Sequence, residues 1–348
     1  MKKVFKSVIC LVLVFMVALG MVGCGGKKEA GAPTEKEQPQ GKTYVINIGA
    51  TSSPEHSFYR ACDKFIEMVE KESNGRIKVN RKFGGVLGGE REMTEAIQLG
   101  NLEMGFISDV GLSAVVPEIG YILLPYLFPN YEAVDKYYFN NGFIGEDIKQ
   151  KLQAKGVRVL GWIENDYRAL TNSKRPIKTL EDLKGLKIRV PELPLFISFF
   201  TKLGTSPTPM SVTELPTALQ QKTVDGQDNG VILTHAYGYE QLQKYMTLTN
   251  HMYSGGGIVI SEKFWNTLPD DLKEIVRKAS EETGKLQIQL NRDDVKKFIE
   301  QMKNVGVQFD ELTPEAQKQL MEIGRSVWDE FADKWGKEWI ERLKNEVK

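Results

Sequence analysis

The sequence is poor in the residues from which most catalytic centres are built. Its three cysteines are Cys10, Cys24 and Cys62, and the first two sit in or beside an apolar N-terminal segment. Cys62 is therefore alone in the body of the chain, with no partner for an internal disulfide, and is expected to be a buried small hydrophobe. The three histidines, His56, His235 and His251, are far apart, and no two stand at the helical spacing of a metal-ligand pair. There is no Gly-x-Ser-x-Gly elbow and no Cys–His pairing. Gly84–Gly85 and Gly88–Gly89 invite a phosphate-loop reading, but no Gly-Lys-Ser/Thr follows to supply a lysine and a metal ligand. No metal and no cofactor are expected. Charge of one sign is lacking too. Lys plus Arg and Asp plus Glu both number 46, so no basic stripe speaks for a nucleic-acid partner.

Long apolar runs are scarce, and the one that exists is informative. Lys2, Lys3 and Lys6 precede an apolar stretch from Val8 to Leu19, short for a bilayer span but proportioned like a signal-peptide core. It runs into "MVGC", ending at Cys24. An apolar core followed by a small residue and cysteine resembles the lipobox of bacterial lipoproteins, which implies cleavage after residue 23, lipidation of Cys24 and an extracytoplasmic, membrane-anchored protein. Residues 25–42, "GGKKEAGAPTEKEQPQGK", hold no apolar side chain larger than alanine, proline aside. Such a stretch buries too little surface to offset its chain entropy and reads as a flexible tether.

The remaining three hundred or so residues suffice for two core-bearing domains. "YVINIGA" alternates as a strand, and "FYRACDKFIEMVEKESNG" carries Phe58, Ala61, Cys62, Phe65, Ile66 and Val69 on one helix face before stopping at Asn74-Gly75. "IKVNRKF", a helix over "REMTEAIQLGN" and the strand "LEMGFIS" continue a β-α-β-α-β order, which implies a mostly parallel sheet covered by helices. "GVRVLGWIE", a capped turn of helix at "TLEDLKG" and the strand "LKIRV" repeat the pattern. "SVTELPTALQQK" reads as a helix with a Ser211/Glu214 capping box, although Pro216 then falls past its first turn. From Pro269 to about Asn304 the only breaker is Gly284, which predicts a helix roughly 50 Å long. Thr313 and Pro314 open a further helix expected to carry Trp328, Trp335 and Trp339 as packing residues.

In order along the chain stand "LGGEREM", "LGNLEMGF", "LPYLFPNYEAV", "YRALTNSKRPIKTLEDLKGLKIRVPE", "LGTSPTPM", "ALQQKTVDGQDN" and "LPDDLKEIV". Together they resemble the solute-binding protein of tripartite ATP-independent periplasmic (TRAP) transporters, of the dicarboxylate-binding type, over almost the whole mature chain. The resemblance implies an α/β, two-lobed clamshell like other periplasmic binding proteins, with mixed, mostly parallel sheets and a long C-terminal helix spanning both lobes. It implies lobe I from 43–165, joined by about 255–294, and lobe II from 166–254, joined by about 295–348. It further implies capture of a small carboxylate in the cleft and delivery to the small and large membrane subunits of a permease.

The resemblance also assigns residues. Arg189 falls on the family's principal arginine, which pairs with the substrate carboxylate. Its position at the end of a strand just before Pro191 independently suits it to that role: open parallel sheets bind ligands beyond the carboxyl ends of their strands, and a guanidinium fork matches two carboxylate oxygens. Arg168 matches the second arginine, with Asp166 nearby as an alternative ion-pair partner. Asn229 matches a ligand-binding asparagine, with Gln227 and Asp228 read as turn chemistry, and Glu90 matches an acidic position at the cleft. Ser108 and Gly111 lie in a stretch where sialic-acid-binding relatives carry an acidic residue and an arginine, both missing here, which argues against a sialic acid, while Asp109 close by leaves other polyols open. Val212 replaces a phenylalanine of some relatives. Trp162, Tyr167 and His56 are candidates for the cleft wall.

Two other functions fit the same chain. One is a receptor of this fold that serves a sensor or another class of transporter. The other is a lipid-anchored hydrolase using Glu90 and Asp109 as an acid–base pair.

Overall fold

A computed structural model describes residues 41–348; the expected signal peptide, Cys24 and the tether up to residue 40 lie outside it. Two mixed sheets organise the described chain. The first is assembled from β1 (Tyr44–Gly49), β2 (Ile77–Lys82), β3 (Met104–Ser108), β4 (Val157–Tyr167) and a late returning strand. The second takes β5 (Ala169–Asn172), β6 (Lys187–Val190), β7 (Ser206–Pro209), β8 (Gly226–Asn229) and β9 (Tyr245–Thr247). The chain then returns to the first sheet as β10 (Tyr253–Ser261) and ends its strands in the second as β11 (Gln308–Asp310). The orders are β2-β1-β3-β10-β4 and β11-β9-β5-β8-β6-β7. In the first sheet β10 runs against both neighbours; in the second β5 does. Both sheets are otherwise parallel.

Sequence and element agree where periodicity is strong. His56 caps the helix Ser57–Glu72 by accepting a hydrogen bond from Phe58 N–H, and Phe58, Ala61, Cys62, Phe65 and Val69 are its buried face. Thr179 and Asp182 close a reciprocal capping box on a short turn of helix. Two expectations need correction. The Ser211/Glu214 capping box does not form, because the helix begins at Leu215 and Pro216 takes a first-turn position where its missing N–H costs nothing. Trp339 is not on the helix of Trp328 and Trp335: Pro314–Trp335 ends at Gly336, whose φ of +92° suits glycine, and Trp339 belongs to Lys337–Glu346.

The chain passes between the sheets three times. Two passages, at 167–169 and 247–253, lie side by side, with Arg168 N–H donating to Met252 O. The third is the helix Asp270–Asn304, 35 residues in one piece. Its first half packs on β4 so closely that a Cβ on Gly284 would lie 2.4 Å from Trp162 O. There Gln287 Nε2 donates to Ser57 Oγ and Glu164 O, and its Oε1 accepts from Glu164 N–H at 2.8 Å. Its second half buries Phe298 and Met302 with Val231, Ile232 and Met246 of the second lobe. The last helices return to the first: Trp328 and Trp335 donate to the carbonyls of Pro125 and Pro117, and Trp339 packs on Tyr121. Glu330 of the same tail accepts from the Ser198 hydroxyl and pairs with Lys202 of the second lobe, so the tail touches segments on both sides.

Candidate functional site

The carboxyl ends of the parallel strands of the two lobes face a common cleft. From the first lobe come Ser52 beyond β1, Ser108 at the end of β3, Asn165 near the end of β4, and Ser254 at the matching end of the antiparallel β10. From the second come Arg189 on β6, Met210 just after β7, Asn229 at the end of β8, and Arg168 beside the start of β5. The space they enclose, mouth included, is about 820 Å³.

Arg189 is 3 % exposed. Its Nε and Nη2 both donate to Met210 O, at 3.0 and 2.8 Å, which fixes the guanidinium plane and leaves the Nη1–Nη2 edge without a protein acceptor. Among the described residues no carboxylate lies within ion-pair distance of it. Burial, with Arg168 nearby, lowers its pKa to about 10, so it remains a cation at neutral pH.

Arg168 differs. Its Nε donates to Asp228 Oδ1 at 2.9 Å, and Nη2 donates to Asp228 O, Asp228 Oδ2 and Asn229 Oδ1. Burial would raise the Asp228 carboxyl, but Arg168 and His251 outweigh it and hold it below the ordinary range. The expected alternative of an Asp166–Arg168 pair is not formed. Asp166, at φ +133°, turns its carboxylate to Tyr131 Oη–H and Tyr167 N–H, both at 2.6 Å. Asp228 is correspondingly no turn residue: it and Gln227 are fully buried within β8.

On the opposite wall, Glu90 opens the helix Glu90–Leu99 and accepts from Ser108 N–H at 3.0 Å and from the Ser108 hydroxyl. Burial pushes its pKa up, against the pull of those bonds and of the two arginines. The contact is possible because position 111 is glycine: a Cβ there would lie 2.5 Å from Glu90 Cβ. His56 lines the cleft as a neutral ring. Burial and Arg60 lower its pKa to about 3, and since Nδ1 accepts from Phe58 N–H, the ring proton sits on Nε2. Val212 and Asn229 line the cleft as well.

One expected site residue and two expected wall residues are elsewhere. Asp109 turns inward, accepting from Tyr138 Oη–H and from Gly255 N–H at 2.9 Å, so it shares no cleft surface with Glu90 and the acid–base pair is not assembled there. Trp162 packs against Tyr138 and Phe139, beneath Lys149 on the outer side of the first lobe. Tyr167 packs on Tyr131 and Tyr253. Sequence reasoning missed the Met210 carbonyl, the Asp228 counter-ion and the hydroxyls of Ser52 and Ser254. Only Ser52 had a local signal, in the turn "TSSPEHS" that directly follows β1.

A model of bacterial extracellular solute-binding proteins, family 7, matches residues 48–334. The chain belongs to that family. A solute-binding protein of Verminephrobacter eiseniae is 36% identical over 73% of this chain and 75% of its own. Among solved structures, the sugar acid binding protein of Advenella mimigardefordensis, in complex with galactonate, superposes with a TM-score of 0.83 at 31% identity, covering 87% of this chain and 97% of that one. A TRAP periplasmic solute-binding protein of Sulfurospirillum deleyianum with bound succinate gives 0.83 at 26% identity, covering 88% and 100%. The family is one of transport receptors, not of enzymes, and its members work outside the cytoplasm. The two-lobed α/β clamshell and the TRAP resemblance read from the sequence hold.

Two hydrogen bonds join the lobes beside the site: Tyr237 Oη–H donates to Thr51 O at 2.7 Å, and the Ser53 hydroxyl donates to Ala236 O. These two bonds latch the cleft of this family 7 receptor.

Proposed function

We propose that this receptor captures a small organic acid by its carboxylate on Arg189 and hands it to the two membrane subunits of a TRAP permease, anchored to the extracytoplasmic side of the cell membrane by lipidated Cys24. The observation that carries the reading is a buried guanidinium with no counter-ion among the described residues, held by Met210 O so that one two-nitrogen edge stays open toward the cleft. An isolated buried cation is costly, and an anionic ligand offsets that cost. Arg168 and Asn229 steady the same end of the ligand, with the charge of Arg168 already matched by Asp228. Glu90, Ser108 and His56 form the opposite wall, and Val212 lines the cleft from the second lobe. Ligands of the relatives, galactonate and succinate, each present a carboxylate suited to Arg189.

A thermal-shift screen of the purified protein against organic acids, neutral sugars and amino acids tests this. Ligand at a thousand times its Kd adds about 4 kcal/mol of stability, which for a protein of this size raises Tm by roughly 2–4 °C per kcal/mol. A shift confined to acids supports the reading; a shift with neutral sugars alone sinks it.

A further inference from the structure

We infer that the acid this cleft takes is a hydroxylated monocarboxylate, a sugar acid or a shorter hydroxy acid, and not a dicarboxylate: Arg189 holds the single carboxylate, and Ser52 and Ser254 on the facing lobe bind hydroxyls. The inference rests on the proposed capture by Arg189 and narrows it.

The charges around the cleft suit a single carboxylate. Three cations line the cleft, Arg91, Arg168 and Arg189. Arg168 is matched by Asp228, and Arg91 is exposed at the lip with Glu95 3.1 Å from its Nε. Of the two buried arginines, only Arg189 has a two-nitrogen edge with no acceptor among the described residues. The wall across from it offers Glu90, and Glu92 and Glu192 stand at the mouth. A second carboxylate would face like charge with no cation to receive it, and like charge disfavours its ionised form. His56 does not supply the missing cation, since its buried ring is neutral.

Two hydroxyls in the cleft wall are unused. Ser52 and Ser254 are 3 % and 1 % exposed, both line the cleft, and neither Oγ has a hydrogen-bond partner among the described residues. Buried hydroxyls are normally satisfied. Their placement is regular. Ser52 follows β1, Ser108 with its bound Glu90 carboxylate ends β3, and Ser254 lies on β10, the next strand across. Neighbouring strands are about 4.8 Å apart, so donors and acceptors are set in a row along the sheet edge. A polyol chain, with a hydroxyl on successive carbons, can use such a row; the methylenes of a dicarboxylate cannot.

Calorimetry on the purified protein decides the matter, with D-gluconate, D-erythronate and D-glycerate set against succinate and hexanoate. At least one hydroxy acid is expected to bind roughly tenfold or more tighter than both succinate and hexanoate. Ser52→Ala and Ser254→Ala are each expected to weaken that hydroxy acid by about tenfold, while hexanoate binding and the Tm of the free protein stay put. Tighter binding of succinate than of every hydroxy acid, or hydroxy-acid binding indifferent to both serine variants, overturns the inference while Arg189 keeps its role. Undiminished acid binding in Arg189→Lys instead overturns the reading beneath it.

Discussion

Arg168 and Asp228 form a buried ion pair in which one carboxylate oxygen meets Nε at 2.9 Å and the other lies 3.2 Å from Nη2. His251 Nε2 stands 3.2 Å from the same Oδ1. The cleft therefore contains two arginines with opposite status: one neutralised from within the protein, one left for the ligand.

Removing the partner should expose that difference. Asp228→Asn leaves Arg168 buried without compensation and should cost about 3–5 kcal/mol of stability, read by denaturant unfolding. Adding Arg168→Met should recover much of the loss, because replacing both charges removes the desolvation cost along with the attraction. A double variant no more stable than Asp228→Asn would refute this.

Arg189→Lys keeps the charge but cannot bond Met210 O through two nitrogens and still present a two-nitrogen edge. With charged hydrogen bonds contributing about 1.5–3 kcal/mol each, affinity for the bound acid should fall by roughly one to two orders of magnitude. Calorimetry reads the loss, and the Tm of the free protein should hardly move.

Tyr237→Phe deletes one of the two bonds that latch the lobes. The expected loss is about 0.5–1.5 kcal/mol of ligand affinity, with a less closed bound state in small-angle scattering. Unchanged affinity would mean that the latch does not contribute to binding.

Asp109 and Asp166 give the fold a pH signature. Burial raises both carboxyls to about 7, whereas an unfolded aspartate titrates near 3.9. Between about pH 4 and 7 the folded protein retains protons that the unfolded chain has released, so stability falls as pH rises through this window and levels off above it. Each group's part is on the order of 4 kcal/mol. Asp109→Asn should flatten a large share of the slope in unfolding curves taken at pH 5 and 8; an unaltered slope would show that Asp109 is not the group titrating.

Trp162→Phe should leave ligand affinity unchanged while lowering Tm, since the indole packs on Tyr138 and Phe139 away from the cleft.

Strands, the long helix and the position of Arg189 at a strand end were legible because each depends on local pattern. Alternation places Ile46 and Ile48 in the core, and the unbroken periodicity from 270 to 304 survives Gly284 because a packed β4 lies where its side chain would be. What depended on distant partners was not legible. Nothing near Arg168 says that its counter-ion comes from residue 228 and not 166; the antiparallel pairing of β5 with β8 brings Asp228 there. Asp109 looked like a cleft residue by its neighbour Ser108, yet one step along the chain at a helix start reverses direction, and it faces Tyr138. Pro216 was the visible sign that its helix starts later than the capping pattern suggested.

The helix Asp270–Asn304 has a mechanical consequence. Its first half is fastened to one lobe by Gln287, its second half to the other by Phe298 and Met302. The two passages near Arg168 and Met252 act as a hinge pin, but this rod crosses from jaw to jaw without a break, so opening must flex it or lift one half from its seat. It behaves as a leaf spring whose stiffness enters every opening and closing. Substitutions around residues 284–298, far from any atom of the cargo, should therefore tune how readily the receptor lets go.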